Sequence, residues 1–193
     1  SVVAPVSAGD GIFCWPRRDE FGWPMLKRLL PVGSSGRLHL HDHADPGAPP
    51  PAMPDAGDIA AHNITLSRWF EDRAALDTLL AGFRTYVAPR LHEGIGMAFL
   101  EAMARGQCVV AADRPTMSEY IIHGVNGLLF DPDRPTPLDL SAAVRLGDRA
   151  RGLVALGHAR WQRDAAGRLV DALTAPPGAS LRALAEPFAV RRA

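Results

Sequence analysis

Two carboxylates, Glu93 and Glu101, flank a pair of glycines in the run Arg90-Leu91-His92-Glu93-Gly94-Ile95-Gly96-Met97-Ala98-Phe99-Leu100-Glu101-Ala102-Met103-Ala104-Arg105-Gly106. The run reads as a strand end, a glycine-bracketed turn and a short helix. The first N–H groups of a helix have no internal partner and carry the positive end of its dipole, so the main chain of residues 94–97 offers a seat for an anion. Gly94 and Gly96 carry no side chain, which lets a phosphate approach that main chain closely. Glu101 stands five residues past Gly96, roughly 7 Å further along the axis. A carboxylate at that distance does not ligate the phosphate but can accept hydrogen bonds from sugar hydroxyls. An anion in the middle with polyols at both ends is the layout of a nucleotide sugar.

The plainer account of each acid is weaker. Acids favour a helix start by up to about 1 kcal/mol, which explains one glutamate and not two. Phe99 and Met103 share a helix face from which Glu101 points away, so packing does not require it there. His92 reads as a polar residue lining the loop, Glu119 as structural support and Asp113 as a cap for the segment after it. No Ser-His-Asp grouping, Cys-His pair or G-x4-G-K-[ST] loop stands out.

The elements that must position this turn follow from the alternation of strand, loop and helix. Strands are expected at residues 10–15, 38–43, 64–66, 83–88, 108–111 and 128–130. The loop at 16–22 holds Arg17 and Arg18, which on residue type alone make a solvated basic loop. Pro24 suits the first turn of a helix running through Met25, Leu26, Leu29 and Leu30 to Pro31. His39, His41 and His43 alternate along the second strand and are expected to face outward, a spacing also compatible with a metal site. Residues 44–58, rich in proline, read as a mobile or polyproline-like surface connection. A helix is expected over 71–80, with Ala75, Leu76, Leu79 and Leu80 inward. The small and β-branched residues of 108–111 suit a sheet covered on both faces. Residues 124–127 have turn chemistry. After Pro137, one helix is expected through Leu138, Leu140, Ala143, Val144 and Leu146. A second runs from Leu153 to Leu173 with interruptions at Gly152 and Gly157. Pro176-Pro177-Gly178 ends it, and Leu181, Leu184 and Phe188 belong to a last helix. The repeated order implies a parallel sheet with right-handed crossovers, whose ligands bind at the carboxyl ends of strands.

With 193 residues, 47% hydrophobic and 22% charged, the chain is long enough for one well-filled core. Lys plus Arg equals Asp plus Glu at 21 each, so no global field recruits nucleic acid or acidic lipid. Cys14 and Cys108 lie in apolar strand-like runs, as buried thiols of a reducing compartment do. No apolar run is long enough to span a membrane and no signal peptide is visible, which points to a cytoplasmic protein.

The run Glu93-Gly94-x-Gly96 to Leu100-Glu101-Ala102-Met103-Ala104-x-Gly106, then Val109-Val110-Ala111, then His123-Gly124-x-Asn126-Gly127-Leu128-Leu129-Phe130-Asp131-Pro132, resembles the nucleotide-sugar-binding half of retaining GT-B glycosyltransferases of family 4. The clear likeness covers residues 83–132 and a looser one reaches back to Asp10. It implies an α/β fold, a Rossmann-like parallel sheet of about six strands with helices on both faces, forming the C-terminal half of a GT-B fold. It also implies a donor domain over 1–175, a helical tail over 176–193 and an acceptor-binding N-terminal domain that this chain lacks. Glu93 would contact the transferred sugar and Glu101 the ribose, with Gly94, Ile95, Gly96 and Met97 at the phosphates. Arg18 or Arg17 matches an arginine that grips the diphosphate, Arg18 being assigned with Glu93 to catalysis and Arg17 to donor binding. The lysine that the family places before a glycine in that loop is replaced by Phe21. Lys27 lies a helical turn or more too far along to substitute.

The expected donor is a UDP-, GDP- or ADP-sugar, and the acceptor is a saccharide or lipid-linked molecule. No metal or other cofactor is expected, and the full-length protein would associate peripherally with the inner face of the membrane. Two rivals stand beside this reading. A non-catalytic or degenerate nucleotide-sugar-binding module would keep the fold without the lysine. An NAD-type dehydrogenase would need the glycine fingerprint that the first strand lacks.

Overall fold

The computed structural model describes residues 9–30 and 36–174. Six strands, β1 (Gly11–Cys14), β2 (Leu38–His41), β3 (Ile64–Ser67), β4 (Phe83–Val87), β5 (Cys108–Ala112) and β6 (Leu128–Phe130), form one sheet in the order β3-β2-β1-β4-β5-β6. Every pairing is parallel. This is the doubly wound Rossmann-like order, in which the chain starts at the centre, builds outward one way and returns to build the other. Helices α1 (Trp23–Leu29), α2 (Ala56–Ala61), α3 (Arg73–Ala81), α4 (Met97–Ala104), α5 (Met117–Tyr120) and α6 (Ala143–Asp164) follow the strands. A π-helical turn (Ala165–Leu169) and α7 (Val170–Thr174) continue from α6. The chain divides into two compact units, the first ending at Val154 and the second beginning at Ala155.

The central strands are buried on both faces because helices cover each side, and β5 (Cys-Val-Val-Ala-Ala) is buried throughout. Phe13, Phe21, Leu26, Leu40, Phe83, Met103, Val109 and Leu146 are among the side chains closed from solvent. Gln107 sits wholly inside, and its amide donates to the carbonyls of Leu80 (3.0 Å) and Phe83 (2.8 Å), tying the α3–β4 turn to β5. Near β6, Asn126 accepts from the Ile122 N–H and donates to the Tyr120 carbonyl. The turn between α5 and β6 is therefore held by the Asn126 side chain. Among the described residues no helix is long and apolar enough to cross a membrane.

Four expectations are corrected. The histidine face of β2 points inward: His39 and His41 are buried. In a parallel sheet covered on both sides a polar alternation has no outward face, and these rings are satisfied by the neighbouring strand instead. His39 lies beside Thr65 and His41 beside Ser67 in the β2–β3 register. The His39 ring contacts Thr65 Oγ1 and Ser67 Oγ, and His41 Nδ1 contacts the same Ser67 Oγ, each at 2.8 Å. Among the described residues no group of three or more His, Cys, Asp or Glu is placed to hold a metal ion.

The proline-rich segment is tied down rather than a plain connection. The Trp23 N–H donates to the Ala52 carbonyl at 2.7 Å, and the segment ends in α2, capped by Asp55. The C-terminal helix begins at Ala143, leaving Leu138 and Leu140 in irregular chain, and it passes through Gly152 and Gly157 without a break. Its interruption is the π-helical turn further on. Asp113 caps nothing, since α5 begins after Thr116 without a side-chain cap. The expected helix end at Pro31, the tail at 176–193 and its last helix lie outside the described residues.

Candidate functional site

Strands β1 and β4 lie side by side at the centre of the sheet, where the winding reverses, and their carboxyl ends open into a cleft of about 470 Å³. This is where doubly wound sheets place their ligands. Its lining brings together Arg17, Glu93, Ile95, Gly96, Met97 and Glu101 from the expected set. It also includes Arg73, Arg90 and Arg105.

The turn that carries Glu93 is fixed from both ends. The Thr116 hydroxyl donates to the carbonyls of Glu93 (3.0 Å) and Gly94 (2.6 Å). Gly96 caps α4 in the left-handed region, φ 69° and ψ 42°, and a Cβ there would lie 1.9 Å from the Phe99 ring. Glycine is needed at 96 for both reasons. Gly94, by contrast, has open space around it, which leaves its main chain approachable. No side chain caps α4, so its first N–H groups are left without a side-chain partner, and Gly96, Met97 and Ala98 at that end line the cleft.

Glu93 accepts from the Gly94 N–H at 3.2 Å and lies 3.6 Å from Arg90 Nη1. Glu101, half-buried on α4, is held by Arg73 and lies 3.7 Å from Arg105 Nη2. Both arginines also reach Asp77, Arg73 at 3.1 Å and Arg105 at 2.6 Å. Its hydrogen bonds to the Glu101 and Asp77 carboxylates raise the Arg73 guanidinium above its ordinary value. His92 is exposed and outside the lining, as is Glu119.

The basic loop is organised by a residue sequence reasoning passed over. Asp45, almost buried, takes Arg17 Nε on one oxygen at 2.6 Å, and Arg90 Nη2 (2.6 Å) and Arg18 Nε (3.2 Å) on the other. Burial alone raises the Asp45 carboxyl, but the hydrogen bonds from Arg17 and Arg18 outweigh it and hold the group below its ordinary value. The Arg17 guanidinium stacks 4.4 Å above the Trp15 ring. Trp15 in turn donates to the His43 carbonyl at 2.6 Å and meets His41 edge-on. Arg18 is half exposed and does not line the cleft.

Phe21 is fully enclosed, its ring 6.1 Å from that of Phe130. Lys27 is bound to Asp58 at 2.5 Å and is also absent from the lining. Arg90, inside the motif run, carried the one local signal of a further cation, a basic residue at a strand end beside Glu93. Asp45 had none, because its partners lie 27 to 45 residues away in sequence.

Residues 61–146 match the family model described as Glycosyl transferases group 1. Alpha-maltose-1-phosphate synthase of Mycobacterium tuberculosis is 33% identical over 115 residues, covering 53% of this chain and 29% of that protein. The chain thus matches less than a third of that relative's length. Among solved structures, sucrose-phosphate synthase from Thermosynechococcus elongatus is similar with a TM-score of 0.57 and 20% identity, covering 84% of this chain and 49% of its own. Anabaena Alr3699/HepE in complex with UDP gives 0.54 and 19%, covering 78% and 45%. The C-terminal domain of a glycosyl transferase group 1 family protein (LpcC) from Francisella tularensis gives 0.53 and 18%, covering 80% and 87%. Residues 61–146 are therefore similar to the glycosyltransferase group 1 domain, and the six-stranded sheet that contains them has the fold seen in GT-B glycosyltransferases.

Proposed function

We propose that this chain is the donor-binding half of a retaining, metal-independent glycosyltransferase that takes a UDP-, GDP- or ADP-sugar and transfers the sugar to a saccharide or lipid-linked acceptor. The observation that carries the reading is that one cleft gathers Glu93, the uncapped start of α4 and Glu101. Glu93 contacts the transferred sugar. The main chain of Gly94, Ile95, Gly96 and Met97 meets the diphosphate, with Arg17 from within the cleft and Arg18 through the carboxylate it shares. Glu101 accepts from the ribose hydroxyls once Arg73 yields one of its oxygens.

In the transfer, the bond between the anomeric carbon and the diphosphate oxygen breaks with its electron pair moving to the diphosphate. The acceptor oxygen forms the new bond on the same face and its proton passes to the departing diphosphate oxygen. Negative charge grows on the departing diphosphate, so fixed N–H donors and guanidinium groups aimed at it lower the barrier without a metal. The acceptor is bound by an N-terminal domain joined to this chain in the full-length protein. That protein works in the cytoplasm at the inner face of the membrane, in keeping with two buried free thiols at Cys14 and Cys108.

The burial of Phe21 favours one second reading, a nucleotide-sugar-binding module that no longer transfers. Melting curves in the presence of UDP, GDP and ADP test the binding step. A ligand at 100 times its Kd adds about 2.7 kcal/mol of stability and a matching rise in Tm. The Glu101→Ala variant leaves Arg73 and the buried Arg105 short of a partner, so its own Tm is uninformative and the ligand-induced shift is the quantity to compare. That shift is expected to shrink in the variant. No shift with any of the three ligands in the wild-type chain would remove the donor reading. Sugar release from a bound donor, assayed in the full-length protein, separates the enzyme from the module.

A further inference from the structure

We propose that Asp45, on the proline-rich segment between β2 and α2, is a positioning residue that holds Arg17 and Arg90 as a two-guanidinium clamp for the donor's diphosphate. Arg90 thereby supplies the second cation that Phe21 cannot. The proposal rests on the donor reading above and assigns the diphosphate contacts within it.

Three guanidinium groups meet on one carboxylate. Asp45 cancels one positive charge and Glu93, at 3.6 Å from Arg90, cancels part of another, so the group keeps a surplus of positive charge. Like charges this close repel by an amount that grows as water is excluded, and both Arg17 and Arg90 are mostly shielded, with 32% and 25% of their side chains exposed. Such a cluster is stable when a further anion joins it. The space open to that anion is the cleft, which Arg17 and Arg90 line together with Gly96, Met97 and Ala98 at the start of α4. A diphosphate, with several oxygens and more than one negative charge, matches two planar guanidinium forks on one side and N–H donors on the other.

Asp45 is built to hold this geometry. Its own N–H donates to the Arg17 carbonyl at 2.9 Å, and its carbonyl accepts from the Ala48 N–H at 3.0 Å. Arg17 is thus gripped through its main chain, its guanidinium and its stacking on Trp15. Each oxygen of Asp45 takes one clamp arginine, Oδ1 for Arg17 and Oδ2 for Arg90, which keeps the two forks apart and aimed. A loop staple alone would need only one of these contacts.

The test compares calorimetric affinities of the nucleoside diphosphate, monophosphate and free nucleoside that share the preferred base. Arg90→Gln, Asp45→Asn and Asp45→Glu are measured beside the wild type, with the exposed Arg134→Gln as control. Arg90→Gln and Asp45→Asn are expected to weaken the diphosphate about tenfold or more, to weaken the monophosphate less, and to leave the nucleoside unchanged. Asp45→Glu should recover part of the loss, and the control should bind as the wild type does. Equal weakening of diphosphate and nucleoside would make Asp45 and Arg90 merely structural and overturn the clamp. So would undiminished diphosphate binding in Arg90→Gln, a readout that stands even if Asp45→Asn does not fold. Failure of the wild type to bind any diphosphate is a separate outcome, which overturns the donor reading and the clamp with it.

Discussion

Position 21 holds a phenyl ring with no solvent contact, and the nearest aromatic partner is Phe130 on the last strand of the sheet. The lysine expected there from the family resemblance is absent, and the phenyl ring in its place is buried in the core. Restoring the lysine should fail. Phe21→Lys removes a large buried ring and leaves an ammonium to be desolvated or driven out, a loss of at least about 3 kcal/mol. Urea denaturation should show that loss as a lower midpoint, and the affinity for a nucleoside diphosphate should not rise. A variant as stable as the wild type that also binds more tightly would show that position 21 reaches the cleft after all. Residue types were readable from the sequence here, but directions were not. The two glutamates and the glycines of the turn announced themselves by spacing, and Gly96 proved necessary through its φ and the Phe99 ring beneath it. Asp45 could not be found that way, since a carboxylate in a proline-rich stretch becomes part of a site only through distant partners.

Strands β2 and β3 form the element where sequence reasoning and structure part most sharply. The two-residue alternation of His39 and His41 was legible, and so was the strand, but alternation marks an outer face only when one side of a sheet meets solvent. Here the matching alternation of Thr65 and Ser67 on β3 satisfies the imidazoles inside. One direction of donation fits every contact. The Thr65 hydroxyl donates to the Leu38 carbonyl (3.4 Å) and accepts from His39 Nδ1–H, while the Ser67 hydroxyl donates to His39 Nε2 and accepts from His41 Nδ1–H. Both rings are neutral in that arrangement. Desolvation by burial, reinforced by Arg37 at His39 and by His43 and His39 at His41, holds each ring down at about 4.

An unfolded histidine titrates near 6.5, so below that pH the unfolded chain binds protons that the folded chain refuses. Stability contributed by these rings is therefore complete above about pH 6.5, falls as the pH is lowered, and is gone once pH passes the folded value near 4. Urea midpoints taken at pH 7, 5.5 and 4.5 should decline across the series. The decline should be shallower in His41→Gln, which has one fewer ring to protonate. The carboxylates held low in the fold, Asp45, Asp58, Asp131 and Asp139, lose their contribution at lower pH and do not account for a fall between 7 and 5.5. Midpoints that stay level to pH 4.5 would mean that the rings reach protons without unfolding.

On the scale of the whole molecule, the alternation of elements was enough to give a parallel sheet because each strand and helix is encoded locally. What local patterns do not carry is where charge collects once the chain is folded. Equal numbers of acidic and basic residues leave no net charge, yet the cleft lining holds Arg17, Arg73, Arg90 and Arg105 against Glu93 and Glu101. A neutral protein with a cationic cleft should respond to salt only through that cleft. Screening shortens from about 10 Å at 0.1 M to about 3 Å at 1 M, so diphosphate affinity should fall roughly tenfold over that range while nucleoside affinity stays level. RNA and acidic vesicles, which respond to an extended field and not to one cleft, should not be retained by the chain at 0.1 M salt. Calorimetry at the two salt concentrations measures the first effect and a sedimentation assay the second. Diphosphate binding insensitive to salt would place the anion on main-chain donors alone and leave the arginines without a part in holding it.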